Sequence, residues 1–336
     1  MTTAKINWGI LSTAAIAQEQ TIPAILRAKN ANALAIASQN GKEHPVAEKF
    51  QIPKAYSTYE ALLEDPDIDL VYIPLPNNLH SKWVKEAAKA GKHVLCEKPA
   101  SLTEKETVEM IEVCQQHNVI FMEAFMYQFH PQHKRVRDII TTGEIGEVKL
   151  IHSSFSFLLN KIGGNFRMDR KTGGGSIYDI GCYSIHAIRT IANSEPKCIK
   201  AISKKIPGYD VDISAIVTME LENGIQTYFD CAMDMPSRHT YEVVGTEGTI
   251  QVSKAFITQA DGEGNITVTN KNGLKRQEII YGHSYTLGVE HLSNCVLTNT
   301  EPIYSKENTI KNMRAIEACI DSLDTGRIIN LKRSKG

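Results

Sequence analysis

The first part of the chain alternates between short apolar runs and stretches of helical period. Ile6–Leu11 is apolar enough for a strand covered on both faces. Residues 33–38 and 55–56, Leu70–Ile73, His93–Cys96 and residues 119–122 read as further strands. Between them the pattern predicts helices over residues 15–29, 45–50, 59–64, 80–90 and 103–117. Pro23 is expected to kink or end a turn of the first. Gly91 stops the fourth, and Thr103 caps the fifth with Glu106 three residues on. Strands alternating with helices in this way predict a doubly wound parallel sheet of Rossmann type.

After residue 124 the pattern changes. A helix over Pro131–Thr141 is followed by a long alternating strand at 147–158, a glycine-rich stretch and a helix at 176–191. Longer strands then follow at 198–206, 213–221, 225–231, 239–244 and Gly248–Val252. Hairpin signals such as Glu222-Asn223-Gly224 join them. Residues 261–265 and 271–273 read as surface turns, and a last helix at 308–322 ends before Gly326. The fold class is therefore α/β: a Rossmann domain over 1–124, and over 125–336 an α/β domain with a large, open, mostly antiparallel sheet.

Composition agrees with this division. A length of 336 residues suits two domains, and 42% hydrophobic with 22% charged residues is globular. A net charge of −1 provides no field for nucleic acid or an anionic membrane. No apolar run approaches the ~18 residues of a membrane span. Residues 1–5 lead directly into the first strand without a signal-type segment, so a cytoplasmic protein is expected. Seven cysteines, with no Cys-x-x-Cys, point to reduced thiols and no zinc site. His130 and His133 lack a third ligand nearby in sequence, so no metal is expected. A hydrolase elbow and a phosphate-binding P-loop are both missing from the sequence.

The turn after the first strand is less explicit. A dinucleotide fingerprint places glycines where the backbone must approach a pyrophosphate at a helix N-terminus. Ser12, Ala14 and Ala17 occupy those positions. All are small, but a tightly packed strand-to-helix turn would read the same way. Its place in the first β-α-β unit favours cofactor contacts from Ser12, Thr13, Ala14 and Ile16. At the end of the second strand, Ser38-Gln39-Asn40-Gly41-Lys42 contains no acid for a ribose 2′-hydroxyl. Ser38 and Lys42 could bind a 2′-phosphate, so the cofactor is read as NAD(P), leaning to NADP. Gln39 stands where an arginine would strengthen that preference.

Later segments carry more. Tyr72-Ile-Pro-Leu-Pro-Asn-Asn-Leu-His80 and Ala90-Gly-Lys-His-Val-Leu-Cys-Glu-Lys-Pro99 resemble the Gfo/Idh/MocA oxidoreductase family. Glu123-Ala-Phe-Met-Tyr-Gln-Phe-His-Pro131, Gly173-Gly-Gly-Ser-Ile-Tyr-Asp-Ile-Gly-Cys-Tyr183 and Val244-Gly-Thr-Glu-Gly-Thr-Ile250 extend the resemblance over residues 6–326. Tyr183 and the Ser-Thr-Ala turn are most similar to the branch of dimeric dihydrodiol dehydrogenase and glucose–fructose oxidoreductase. The resemblance implies hydride transfer between a nicotinamide and the hydroxyl-bearing carbon of a sugar, cyclitol or vicinal diol. It implies a small polyhydroxylated substrate, and a homodimer or homotetramer built through the C-terminal sheet.

Moving a hydride from an alcohol requires a matching proton transfer at oxygen. The resemblance assigns that work to Lys98, Tyr183 and Asp179. A nearby oxidised nicotinamide would lower the lysine pKa by like-charge repulsion. Lys98 and Tyr183 both qualify as the formal acid; Asp179 would orient the lysine or a substrate hydroxyl. Asp179 and Tyr183 lie four apart in a predicted helix and so share a face. Glu97 is expected on the nicotinamide ribose. Leu75, Pro76, Asn77 and His80 are expected to line the same cleft, His80 equally serving as a helix cap. Arg167 is placed near the nicotinamide, and Tyr285 near the substrate. A non-catalytic dinucleotide-binding regulator is the competing reading, although such a protein would not need Lys98, Asp179 and Tyr183 together. A form that keeps its cofactor bound and cycles it between two substrates is a second alternative.

Overall fold

In the computed structural model, residues 4–258 and 261–331 are described. The chain forms two compact units, Met1–Met126 with Ser284–Ile310, and Tyr127–His283 with Lys311–Gly336.

The first unit contains β1 (Ile6–Leu11), α1 (Ile22–Arg27), β2 (Ala31–Ala37), α2 (Glu43–Phe50), β3 (Lys54–Tyr56) and α3 (Tyr59–Leu63). β4 (Leu70–Ile73), α4 (Asn77–Lys89), β5 (His93–Cys96), α5 (Glu104–Gln116) and β6 (Phe121–Glu123) follow. All six strands are parallel, in the order β3-β2-β1-β4-β5-β6. That is the strand order of a dinucleotide-binding sheet, and the chain reverses direction across it between β1 and β4. Every residue of β4 is buried, as a strand covered by helices on both faces must be.

Two local features follow from the sequence in ways its period does not show. Thr103 caps α5 by accepting from the Glu106 amide at 3.1 Å, while Glu106 accepts from the Leu102 amide at 3.1 Å. Before α1, residues Ala17–Thr21 form a π-turn in which the Ile22 amide reaches back to the Ala17 carbonyl. Pro23 then sits in the first turn of α1, where its missing N–H is not needed. The irregularity therefore falls one turn before the proline.

The second unit contains α6 (Pro131–Thr141), β7 (Val148–Leu158), α7 (Cys182–Ala192), β8 (Pro196–Lys205), β9 (Asp212–Leu221) and β10 (Gln226–Ala232). β11 (Asp234–Gly245), β12 (Gly248–Val252), β13 (Glu263–Asn270) and β14 (Lys275–Tyr281) complete most of its sheet. With β15 (Ile329–Asn330), nine strands run in the order β14-β13-β12-β11-β7-β10-β9-β8-β15. Only β7 and β10 pair in parallel; the other pairings are antiparallel. Along β7, Ile151, Ser153 and Phe155 are buried, whereas Leu150, His152 and Ser154 are half-buried on the opposite face.

The turn expected at 261–265 is shorter: Asp261 and Gly262 (φ +74°) turn, but Glu263, Gly264 and Asn265 belong to β13. Gly264 hides the alternation because a side chain there has no room. A Cβ would stand 2.4 Å from Gln132 Oε1 and 2.6 Å from the His130 ring. The turn at 271–273 is real and joins β13 to β14, with Gly273 at φ +79°.

After β14 the chain returns to the first unit with α8 (Ser284–Thr298), then α9 (Lys306–Thr325) begins. A single cut at residue 124 therefore does not describe the units. α8 is tied to β1 by Trp8 Nε1, which donates to Ser293 Oγ at 3.0 Å, and Asn30 donates to the Glu290 carbonyl at 2.9 Å.

Candidate active site

In the first unit, the loops expected to meet a dinucleotide follow the carboxyl ends of β1, β2, β4 and β5, where open α/β sheets bind ligands. Ser12 takes φ +139°, a conformation that favours glycine, at the first fingerprint position. Its Oγ accepts from the Ala14 amide at 3.1 Å and closes the turn. Gln18 braces the same turn by donating to the Thr13 carbonyl at 2.8 Å. Ser12, Thr13, Ala14 and Ile16 are all half-buried, so this turn is small, folded and still reachable. A pyrophosphate fits such a turn at the start of a helix.

The loop after β2 is arranged differently from the expectation. Ser38 is buried, and its hydroxyl donates to Asn40 Oδ1 at 2.5 Å. The Asn40 amide returns a bond to Ser38 Oγ at 3.3 Å. Lys42 is exposed at the start of α2. A 2′-phosphate would have to displace Asn40 from Ser38 but could meet Lys42 directly.

The β4 and β5 loops are held together by His80. Its Nδ1 lies 2.8 Å from the Pro99 carbonyl, and its Nε2 lies 2.7 Å from the Leu75 carbonyl. The ring is fully buried, and burial pushes its pKa down to about 4, against the two carbonyls. The buried ring thus lies between one carbonyl of each loop and, as a neutral imidazole, donates its single N–H to one of them. Leu75 and Pro76 remain half-buried, while Asn77 is buried at the start of α4.

Glu97 and Lys98 follow β5, both half-buried. The Glu97 amide donates to the Ile73 carbonyl at 3.2 Å, so the strand pairing continues one residue past β5. Tyr72, fully buried, donates its hydroxyl to Glu97 Oε1 at 2.6 Å. Burial, then the Glu97 charge, holds the Tyr72 phenol well above its ordinary pKa, so it remains a donor. The Lys98–Pro99 peptide is cis. Tyr285, in the first turn of α8, is close enough to Tyr72 to raise its pKa further.

In the second unit, Asp179 lies in a π-turn, Ile177–Gly181, that runs into α7. Tyr183 is in the first turn of α7 and half-buried. A π-turn inside a helix is often a functional feature, and this one separates the two expected site residues. Arg167 Nε donates to Asp179 Oδ2 at 2.7 Å, a pairing that nothing in the spacing announced. The glycines that precede the helix let this segment lie on the Arg167 strand of chain. A Cβ on Gly174 would stand 2.5 Å from the Arg167 carbonyl, to which Gly175 donates at 2.9 Å.

Tyr183 stands among aromatic rings. The ring centroids of Phe155, Phe256 and Tyr127 are 5.3, 5.6 and 5.8 Å from its own. Phe155 and Phe256 stack on each other at 5.2 Å. Tyr127 is buried, and its hydroxyl is 2.5 Å from His186 Nδ1. His186 lies three residues after Tyr183, on the same side of the helix. Burial lowers the His186 pKa well below the usual range, so the ring is neutral. Tyr127 and His186 were missed by sequence reasoning, although Tyr127 falls within a segment the resemblance had marked. His130 and His133 bond to the Gly262 carbonyl at 2.9 Å and the Tyr241 hydroxyl at 3.0 Å. No group of residues suited to a metal occurs among the described residues.

Comparison with known proteins agrees with both units. Residues 6–125 match an oxidoreductase family model with an NAD-binding Rossmann fold, and residues 133–251 match a Gfo/Idh/MocA C-terminal domain. A D-xylose 1-dehydrogenase (NADP(+)) from Haloferax volcanii is 35% identical over 96% of this chain and 99% of its own. The chain belongs to the Gfo/Idh/MocA oxidoreductase family. A trans-1,2-dihydrobenzene-1,2-diol dehydrogenase from Xenopus tropicalis is 30% identical over 95% of this chain and 96% of its own. A 3-ketoreductase from Actinomadura kijaniata, solved with NADP and TDP-benzene, is similar in structure. Its TM-score is 0.90 at 26% identity, covering 95% of this chain and 98% of the other. This family member is thus an NAD(P)-dependent oxidoreductase of the dehydrogenase and reductase class.

Proposed function

We propose that the protein moves a hydride between a nicotinamide and the CH–OH carbon of a sugar or vicinal diol, with NADP as the favoured cofactor. The observation that carries this reading is the anchored Glu97-Lys98 pair at the carboxyl end of β5. Tyr72 fixes Glu97, and the buried His80 ring packs between the Pro99 carbonyl and the β4 loop. Such bracing suits a lysine whose placement matters. Ser12, Thr13, Ala14 and Ile16 would hold the pyrophosphate end, Leu75, Pro76 and Asn77 the loop beside it, and Glu97 the ribose. Lys42 with Ser38 would take a 2′-phosphate. His80 serves these contacts through the loops it joins. When bound, the nicotinamide supplies or accepts the hydride.

Lys98 steadies charge on the reacting oxygen, and Tyr183 exchanges its proton. Asp179 pairs with Arg167, and the two orient a substrate hydroxyl. The relatives named for xylose and for a dihydrodiol support a polyhydroxylated substrate. The half-open face of the second sheet exposes Ile202, Ile216, Tyr228 and Ile279, which supports self-association through that sheet. Among the described residues no helix is long and apolar enough to cross a membrane. The thiol composition supports a reducing, cytoplasmic setting.

Calorimetric titration of the purified protein with NADPH and NADH tests the cofactor, and a sugar and diol screen tests the reaction. Micromolar binding with NADPH preferred, and turnover lost in Lys98→Ala and Tyr183→Phe, is expected. Folded protein that binds neither cofactor would overturn the reading.

A further inference from the structure

The helix that carries Asp179 and Tyr183 begins on a buried carboxylate that lies outside every motif picked out above. Asp212 is the first residue of β9 and is 4% exposed. Its Oδ2 accepts from the Ser176 hydroxyl at 2.5 Å and from the Ile177 amide at 2.8 Å. Burial raises the Asp212 pKa, and the Ser176 hydroxyl and the backbone amides of Ile177, Asp212 and Ser176 oppose it. A hydroxyl and the first amide of the π-turn thus meet the buried carboxyl group.

The neighbouring residues are shaped around this carboxylate. Gly175 sits at φ +110°, and a Cβ there would stand 2.3 Å from Asp212 Oδ1. Ser176 Oγ is also 3.3 Å from Cys231 Sγ on β10. Further along, Gly181 lies against the same strand, where a Cβ would meet Cys231 Sγ at 3.2 Å and the Phe229 ring at 3.3 Å. One turn later, Ser184 and Ser153 share a bond at 2.9 Å. The bulged segment therefore lies on the sheet, with Asp212 fixing its first residues.

We propose that Asp212 is a positioning residue for the hydride-transfer reaction, anchoring the start of the bulged helix so that Asp179 and Tyr183 keep their placement. This rests on the functional reading above. A π-turn leaves a helix more ways to slip than a regular one, so an anchor at its first residue has a purpose that packing alone does not supply. Asp212 acts through Tyr183 and Asp179, and a small misplacement of either is expected to cost much of the rate.

The test compares wild type, Asp212→Asn, Tyr183→Phe and the double variant in steady-state assays on the best substrate from the screen, with cofactor titration and amide hydrogen exchange. D212N should lower kcat on the order of 10–100-fold. Its cofactor Kd should stay within about twofold of wild type, since the cofactor loops lie in the other unit. In the Y183F background D212N should remove little further activity. Amides of residues 176–184 should exchange at least about tenfold faster in D212N, with those of α4 and α5 unchanged. Should D212N not accumulate as folded protein, Ser176→Ala, which deletes one of the bonds, is read in the same way. A folded D212N with near wild-type kcat, a full D212N effect on top of Y183F, or unchanged exchange at 176–184 would each overturn the proposal. Wild-type protein that binds cofactor but turns over no substrate would overturn the functional reading instead, and the exchange measurement then decides the anchoring by Asp212.

Discussion

Replacing Tyr72 by Phe isolates one bond of the Rossmann-unit site. The Tyr72 ring is fully buried and stays in place in the variant, so what is lost is the hydroxyl that donates to Glu97 Oε1 at 2.6 Å. A hydrogen bond to a carboxylate contributes roughly 1.5–3 kcal/mol, and the void left is about one oxygen atom. Because the phenol stays protonated well above its ordinary pKa, the donor is not lost at alkaline pH. Y72F should therefore lose roughly 1.5–3 kcal/mol of stability, read as a lowering of Tm by roughly 3–8 °C. Glu97 would lose its tether, and the Kd for the cofactor should rise several-fold. Thermal melts with and without cofactor, together with calorimetric titration, measure both. If Y72F melts within a degree of wild type and binds cofactor equally well, Glu97 is not held by Tyr72, and the bracing argument for Lys98 loses its first support.

Two further outcomes follow from burial. Burial lowers the His133 pKa to about 3 and the His186 pKa well below its ordinary range, so in the fold both stay neutral in acid. Unfolded histidine titrates near 6.5, so between those values the unfolded chain binds more protons; stability is full above about pH 6.5 and falls as pH drops. The unfolding free energy from urea titration should thus fall between pH 7.5 and 5.5 by about 1 kcal/mol per buried histidine, and a flat profile would contradict the burial. Gly175→Ala should prevent stable folding, because its Cβ would overlap Asp212 Oδ1 at φ +110°. Gly143→Ala, with φ +74° and nothing within 4 Å, should cost only about 1 kcal/mol, as expression yield and thermal melts would show.

Much of the architecture could be read along the chain. β1, β4 and β5 are apolar runs, and the helices between them show a clear period, because a parallel sheet covered on both faces imposes both patterns. β13 did not show, because Gly264 breaks its alternation for a reason that lies in α6, namely the space taken by Gln132 and His130. The return of α8 to the first unit was equally hidden, since the bond from Trp8 to Ser293 joins residues far apart in sequence.

The site divides in the same way. The candidates for the chemistry, Lys98, Asp179 and Tyr183, come from motifs of local spacing. What holds them does not. Tyr72 reaches Glu97 across two paired strands, and Asp212 reaches Ser176 from the start of another strand. His80, expected either beside the cofactor or as a helix cap, is buried between two loop carbonyls. Local sequence determines period, turn and reactive group type, because these depend on neighbours along the chain. Tertiary structure alone decides which buried polar group meets which, since that depends on strand order and on the space each side chain leaves, and neither is encoded within one segment.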